Sequence, residues 1–297
     1  MKGRLIVFAI AAAIAVVGVL VPSALNAVFD GLDLILGWMG PFWAVTFVSA
    51  LVGVLFILAF PHVSSQRGIK AVKDRIKYNL LAIRLFQDDL PSVLKSTGGT
   101  LFWNFAYIGL NLLPLFVLAV PFMFVWFQLN ALYAFAPLEP GDRPLVQVEL
   151  RQGVDPTEVG IELPQAFRVE RRVNLADRAA PRILLQLTDL GEGIGDLSLQ
   201  HGGEEVTKVL ASSERPRRLA RLRTSEPVDR FLAAEDPILW FGEPVLPDDS
   251  FVRAVLVPYP PQPLGFLGGG EMSVMIWFVV VSLAVGFGLK GVFGVEI

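Results

Sequence analysis

The sequence predicts an α-helical membrane protein with four spans, a cytoplasmic helical hairpin and a separate all-β domain, on the strength of three observations. Hydrophobic residues make up 54% of the 297 residues, and the mean hydropathy is +0.57. They concentrate in four stretches without a charged residue: 5–21, 34–60, 96–138 and 272–289. Each approaches or exceeds the roughly 20 residues with which a helix crosses a bilayer. The region 137–271 instead carries 15 basic and 22 acidic residues, a net charge of −7, and must lie in water.

The N-terminal segment 1–22 has a basic start, an apolar middle and a small-residue end. This pattern is typical both of a retained span or signal-anchor and of a cleaved secretory signal, and both interpretations remain open. The next segment, 23–40, repeats apolar residues at steps of four and three, with Asp30 and Asp33 outside the stripe. The stripe consists of Val28, Leu32, Ile35 and Trp38. We therefore expect an amphipathic helix that lies on the outer surface of the bilayer.

The second span, 41–60, presents small and weakly polar side chains on one side. These residues are Thr46, Ser49, Ala50 and Gly53. Small residues at this spacing favour close packing against another helix, and a polar groove is the alternative interpretation.

The segment 61–99 predicts a helical hairpin. Apolar residues recur at steps of three and four, and basic residues follow the same rhythm on a neighbouring face. The apolar stripe is Ile69, Val72, Ile76, Leu80 and Ile83, and the basic face is Lys70, Lys73, Lys77 and Arg84. Asp88, Asp89 and Pro91 are typical of a helix stop followed by a new start. A short second helix, about 90–97, is expected to end at Gly98 and Gly99 before the next span.

The third span, 100–136, is too long for one straight crossing and contains Pro114 and Pro121, which predict a kinked helix. Asn104 and Asn111 are seven residues apart and share a face of this helix. Amides at membrane depth are expected to face the protein interior. The candidate polar groove therefore combines residues of three spans: Thr46, Ser49, Asn104, Asn111, Gln128 and Ser282.

From residue 137 to 262 the apolar period changes to two, which predicts several short strands in an antiparallel β-sandwich of immunoglobulin-like size. Examples are "VQVEL", "FRVERRV", "ILLQL", "RLARL" and "FVRAVLV". The 14 arginines of this region are balanced by acids, which argues against specific nucleic-acid binding and predicts a solvated face. Residues 263–271 form a hinge, and 272–291 form the C-terminal span.

The charges of the loops predict the topology. Residues 61–100 contain seven basic and three acidic side chains, and the segments around Lys2, Arg4 and Lys290 are also basic. Since basic loops stay in the cytoplasm, both termini and the hairpin are expected there, with residues 137–271 extracytoplasmic. We predict a multi-pass protein of the plasma membrane, which in bacteria is the inner membrane.

Catalytic chemistry is not indicated. The chain has no cysteine and two widely separated histidines, His62 and His201, so the sequence predicts no thiol chemistry, no metal site and no Ser-His-Asp triad. No nucleophile–base pair and no phosphate-binding loop is recognisable. We therefore expect a protein that is not an enzyme and needs no cofactor.

The order of elements from residue 22 to 130 resembles the core of the YidC/Oxa/Alb superfamily of membrane-protein insertases. The matching parts are "VFDGLDLILGWMG", "VTFVSALVGVLFILAF", "RGIKAVKDRIKYNLLAIRLFQDDLPSVLKS" and "FAYIGLNLLPLFVLAVPFMFVWFQL". The resemblance implies assistance in insertion or assembly of membrane proteins, with nascent membrane proteins or the ribosome as partners. Two departures are a β domain between the third and fourth spans and the lack of a basic residue in the second, third and fourth spans.

A binding or structural module is the alternative function. In that case the β domain recognises an envelope protein, the helices anchor it, and the basic hairpin lies on anionic lipid headgroups of the bilayer.

Overall fold

A computed structural model describes residues 2–177, 180–236, 238 and 241–295. The chain divides into two compact units. The first contains residues 1–20, 46–125 and 277–297, and the second contains residues 21–45 and 126–276.

Seven α-helices are described, and three of them are long and apolar enough to cross a membrane. The helices are α1 (Lys2–Leu20), α2 (Pro22–Leu36), α3 (Pro41–Val63), α4 (Gln66–Leu85), α5 (Leu90–Tyr133), α6 (Pro227–Leu232) and α7 (Gly270–Leu289). The three candidate spans are α3, residues 114–133 of α5, and α7. By length and composition these helices indicate a membrane protein, in agreement with the fold class predicted from the sequence.

The first predicted span falls in α1. Residues Leu5–Leu20 of α1 and the segment Pro22–Met39 that follows them are together long and apolar enough to be a candidate span, as a pair bent at Val21. The bent pair raises the number of candidate spans to four. Pro22 at the first position of α2 has no backbone N–H to donate, which suits a helix start directly after the bend.

The predicted helix break at Gly98 and Gly99 is wrong. Helix α5 continues through both glycines, and also through Pro114 and Pro121. A Cβ at position 99 would lie only 2.9 Å from Asn79 Nδ2. The glycine thus permits close approach to α4, and this packing outweighs its low helix propensity. The part of α5 assigned to a membrane crossing begins at Pro114, later than the 100–136 span expected from the sequence.

Two antiparallel sheets form the β region of the second unit. The five-stranded sheet has the order β3-β4-β1-β8-β7, and the three-stranded sheet has the order β2-β5-β6. The strands are β1 (Leu145–Leu150), β2 (Gly160–Glu162), β3 (Phe167–Leu175), β4 (Arg182–Asp189), β5 (Gly193–His201), β6 (Glu204–Ser212), β7 (Leu222–Thr224) and β8 (Val252–Leu256).

The period-two pattern explains the core of the five-stranded sheet. Val146, Val148 and Leu150 of β1 are buried, as are Ile183, Leu185 and Leu187 of β4. Alternate side chains point to one face of a strand, so these residues share one apolar layer. The run "RLARL" is an exception to the predicted strands, since regular structure begins only at Leu222, where β7 starts.

Helix α2 is held to the β region through its polar side. Arg218 Nη2 lies 2.8 Å from Asp30 Oδ1, and the same guanidinium donates to the carbonyl oxygens of Asn26 and Phe241 at 3.0 and 3.1 Å. Tyr133 donates to Asp33 at 2.7 Å. The expected solvated arginine face is therefore wrong at Arg218, whose side chain is only 10% exposed, because its charge is matched by a carboxylate of α2.

A second ion pair is buried between β6 and the loop before β8. Lys208 is fully buried, and its ammonium group contacts the Glu243 carboxylate and donates to the Ala220 carbonyl at 2.7 Å. Its Nζ also lies 5.8 Å from the centroid of the Tyr259 ring. A lysine is rarely fully buried unless it is paired, and these contacts satisfy that condition.

Asp236 is a buried carboxyl whose titration should be measurable in the unfolding free energy. Its Oδ1 accepts the Ile238 amide at 2.8 Å, while Oδ2 has no partner among the described residues. Burial raises its pKa to about 6 from 3.8, although the Ile238 amide, Arg221 and Lys208 act in the opposite direction. The folded protein therefore binds this proton more tightly than the unfolded chain does.

We expect the loss of this proton to make the protein less stable as the pH rises from about 4 to about 6. Above that range this group should cause no further change in stability. The loss amounts to at most about 3 kcal/mol, for a shift of about two pKa units. Chemical unfolding of the full-length protein at pH 4 to 7 tests this, with Asp236→Asn as the comparison. The variant should lose less stability across this range, and parallel pH profiles would contradict the assignment.

Candidate functional site

Helices α3, α5 and α7 line a partly open cavity of about 350 Å³ in the first unit, the α3/α5/α7 cavity. Its wall is mainly apolar, with many aromatic side chains. The aromatic residues are Phe56, Phe60, Tyr107, Phe122 and Phe287. The cavity is partly open at its edge, so it is accessible to an apolar occupant such as a side chain or part of a helix.

Asn111 and Ser282 add an amide and a hydroxyl to this wall, besides the phenol of Tyr107. The Asn111 amide donates to the Tyr107 carbonyl at 2.8 Å, and the Ser282 hydroxyl donates to the Ser49 carbonyl at 2.9 Å. Each therefore spends a donor on the protein backbone. The side-chain oxygens of both residues keep acceptor capacity, so the wall can accept hydrogen bonds from an occupant.

Helices α3 and α7 pack closely beside this cavity. The Trp277 indole donates to Thr46 Oγ1 at 2.7 Å, and Ser49 is fully buried. A Cβ on Gly53 would lie 2.5 Å from the backbone oxygen of Ser282. In lipid, where apolar burial gives little drive for association, such close contacts and interhelical hydrogen bonds hold helices together.

Substitution of Gly53 by alanine should loosen the α3–α7 contact and destabilise the first unit by about 1–3 kcal/mol, because the new methyl group meets backbone. The matched control is Gly109→Ala in α5, where an added Cβ has nothing within 4 Å. That change should be neutral or stabilising by up to about 1 kcal/mol, given the better helix propensity of alanine. Thermal unfolding of the full-length protein in detergent distinguishes them, and equal midpoints would contradict the packing.

The six residues of the candidate polar groove are divided among four surroundings. Asn111 and Ser282 line the α3/α5/α7 cavity, and Thr46, Ser49 and Ser282 lie in the α3–α7 contact. Asn104 is exposed and donates to the Thr100 carbonyl of its own helix at 2.8 Å. Gln128 lies in the second unit, where it donates to Asn26 Oδ1 at 2.9 Å.

The four residues of the candidate basic face lie on α4, which runs antiparallel to the first part of α5. The Arg75 guanidinium lies 4.2 Å from the centroid of the Trp103 ring, and Lys73 Nζ lies 6.0 Å from that of Tyr107. Lys70, Lys77 and Arg84 are exposed. The pairing of earlier residues on α4 with later residues on α5 forms a helical hairpin, in which aromatic rings hold two of the cations.

The hairpin also exposes apolar side chains near its tip. The largest exposures belong to Leu81, Leu85, Phe86, Leu90 and Leu94, between 52% and 75%. At the base of the hairpin, Ile69 is fully buried in a cluster with Ile57, Phe60 and Leu118. Of the predicted apolar stripe of α4, Ile69 and Val72 are buried, Ile76 and Ile83 are half-buried, and Leu80 is 52% exposed. The uncovered leucines beside it, near the tip, are available to a lipid surface or to an apolar polypeptide.

A second apolar cavity, of about 270 Å³, lies between α1, α3 and α5. Its wall includes Ile10, Ala11, Val52 and Phe122. Neither cavity was predicted from the sequence, because an apolar residue that lines a cavity has the same pattern as one that packs against a neighbour. The contact between α2 and the β region was also not predicted. Its signal in the sequence is charge complementarity between Asp30 and Asp33 of α2 and the basic run "RPRR" at 215–218.

The fold and the cavities define a helical membrane protein with an inserted β region. Comparison of the chain with protein-family models, with curated proteins and with solved structures finds no match.

Proposed function

We propose that the protein is a membrane chaperone of the insertase type, which holds apolar segments of other membrane proteins during their insertion or assembly. The observation that carries this proposal is the α3/α5/α7 cavity, which is mainly apolar and includes the polar groups of Asn111, Ser282 and Tyr107. A transmembrane segment is mostly apolar, and any polar group that it carries needs a partner within the bilayer. The cavity offers both kinds of surface.

The hairpin supports the same function. Its exposed surface combines Lys70, Lys77 and Arg84 with uncovered leucines near the tip. A ribosome is anionic, and a nascent membrane segment is apolar, so this surface has the chemistry to meet either one. The excess of basic residues favours a cytoplasmic position for the hairpin.

We further propose an evolutionary relationship with the YidC/Oxa/Alb superfamily. The succession of α2, the span α3, the α4/α5 hairpin and the span of α5 supports it, with α7 as a further span. On this view the protein lies in the bacterial inner membrane, residues 137–271 are extracytoplasmic, and the two sheets form an immunoglobulin-like sandwich.

A second candidate function is recognition of an envelope protein by the β region. Strand β3 stands at the edge of the five-stranded sheet, and Arg168 and Arg171 on it are exposed. An open edge can accept an extended segment of a partner as an added strand. The charges favour an acidic segment.

Site-specific photocrosslinking tests the proposed function. A photoreactive amino acid at Leu283, in the cavity wall, is expected to capture a ribosome-bound chain that carries one transmembrane segment. The matched control is Leu101, which is 58% exposed on α5 and outside the cavity wall. Equal capture from both positions, or adducts with lipid alone, would refute the proposal. Capture of an envelope protein from Val169 on β3, without capture from Leu283, would favour the second candidate.

A further inference from the structure

The loop between β6 and β7 forms a pocket of about 350 Å³ together with α2 and the end of α5, within the second unit. Its wall contains both charged and apolar side chains. The residues that matter are Asp33, Leu34, Trp38, Tyr133, Arg215 and Arg217.

The charges of this pocket do not balance. Asp33 accepts a hydrogen bond from Tyr133 at 2.7 Å and lies 3.6 Å from Arg217 Nε, so its charge is matched. Arg215 donates to the Leu132 carbonyl, and its Nε has no partner among the described residues. Burial lowers the pKa of Arg215, and the Asp33 carboxylate acts in the opposite direction. With two arginines against one carboxylate, the pocket has an excess positive charge.

The neighbouring ion pair does not remove this excess. Arg218 and Asp30, which lie 2.8 Å apart, neutralise each other. Among the described residues, Arg215 has no ion pair of its own; its side chain is half-buried, and Asp33 is the acid that acts on it. A cation held partly out of water in this way is stabilised when an anion enters its site.

The apolar part of the pocket belongs to α2, whose polar side faces the protein and whose apolar side is exposed. Asn26, Asp30 and Asp33 of α2 contact the protein, whereas the apolar side is uncovered. Leu34 and Ile35 of α2, and Trp38 in the short 3₁₀ turn that follows it, are 69%, 67% and 82% exposed. In a helix that faces water the opposite arrangement is expected, so this apolar side is suited to a lipid surface.

We propose that this pocket binds the headgroup of an anionic phospholipid, whose phosphodiester oxygens accept hydrogen bonds from Arg215 and Arg217. The acyl chains then extend along Leu34 and Trp38. Guanidinium groups bind phosphate oxygens with good geometry, and an indole ring prefers the headgroup level of a bilayer. One amphiphile thus satisfies the excess charge and the exposed apolar surface together. The site does not depend on the insertase assignment.

Lipid binding by the full-length protein tests the proposal. The protein in nanodiscs of phosphatidylcholine with increasing fractions of phosphatidylglycerol is examined by native mass spectrometry for retained lipid. Wild type should retain phosphatidylglycerol preferentially. Arg217→Gln should weaken this binding about tenfold, the equivalent of one charge-assisted hydrogen bond. Arg215→Gln should weaken it at least as much, and the exposed Arg168→Gln should leave it unchanged.

The outcomes separate the sources of the anion. Arg215 is half-buried and contacts the Leu132 carbonyl, so its replacement can impair folding. Arg217, with a side chain 43% exposed, is therefore the decisive variant. Wild-type retention in Arg217→Gln overturns the proposal. Inorganic phosphate is the competing probe, and saturation of the site by phosphate without any preference among lipids overturns the assignment to a headgroup.

Discussion

Replacing Arg218 with glutamine is expected to lower the free energy of unfolding of the second unit by about 3 kcal/mol, because it leaves Asp30 and two backbone carbonyls without their donor. This is the low end of the range for buried pairs, since Asp30 remains 28% exposed. Amide hydrogen exchange in α2 should accelerate in the same variant, and chemical unfolding of the full-length protein measures the loss. The exposed Arg168→Gln, at the edge of the same domain, should change stability by less than about 0.5 kcal/mol.

A double-mutant cycle isolates the pair itself. Asp30→Asn and Arg218→Gln together should destabilise the protein by less than the sum of the two single changes, because the second change removes a charge that is already unpaired. Strict additivity would show that Arg218 acts through its other contacts. Unaltered exchange in α2 would show that the helix does not depend on the ion pair.

The second large effect is expected at Lys208. Lys208→Met should destabilise the β region by about 3–5 kcal/mol, because Glu243, only 8% exposed, is then a buried carboxylate without its cation. The matched control is Lys77→Met on the exposed surface of α4, which should be close to neutral. Unfolding by denaturant, followed by tryptophan fluorescence, measures both.

Replacing Glu243 as well as Lys208 tests whether the lost stability comes from the unpaired carboxylate. The double variant Lys208→Met with Glu243→Leu should recover much of the lost stability, since replacing a buried pair by apolar residues is often neutral or better. A wild-type stability of Lys208→Met alone would mean that the ion pair contributes nothing to the fold.

The sequence predicts the membrane helices and most strands because both depend on local pattern: long stretches without charge for the helices, and a period of two for the strands. The charge-free stretches around Phe56, Pro121 and Phe278 lie in α3, α5 and α7, and the alternation at Val146 and Val148 defines β1. Local pattern was less informative at Gly98 and Gly99. The helix continues through both glycines, and at Gly99 the Asn79 side chain of α4 occupies the space that a Cβ would need. This contact joins positions that are distant along the chain, so a local pattern does not reveal it.

The candidate site was harder to predict than the fold. Asn111 and Ser282 line one cavity, but Gln128 belongs to a contact with Asn26 in the other unit. The amide of Asn104 is satisfied by its own helix. Polarity at membrane depth thus identifies residues that need a partner, and it does not identify the partner. The buried Arg218 shows the same limit, because overall charge balance does not reveal which arginines are enclosed.

The central claim is that the α3/α5/α7 cavity holds apolar segments of other membrane proteins. Insertion of a single-span protein into proteoliposomes tests it most directly, with Leu112→Trp to fill the cavity and Leu101→Trp as the control on the same helix. Wild type and Leu101→Trp should insert the substrate above the level of protein-free liposomes, and Leu112→Trp should reduce insertion several-fold. Equal insertion by both variants, or no insertion by wild type above protein-free liposomes, would contradict the account.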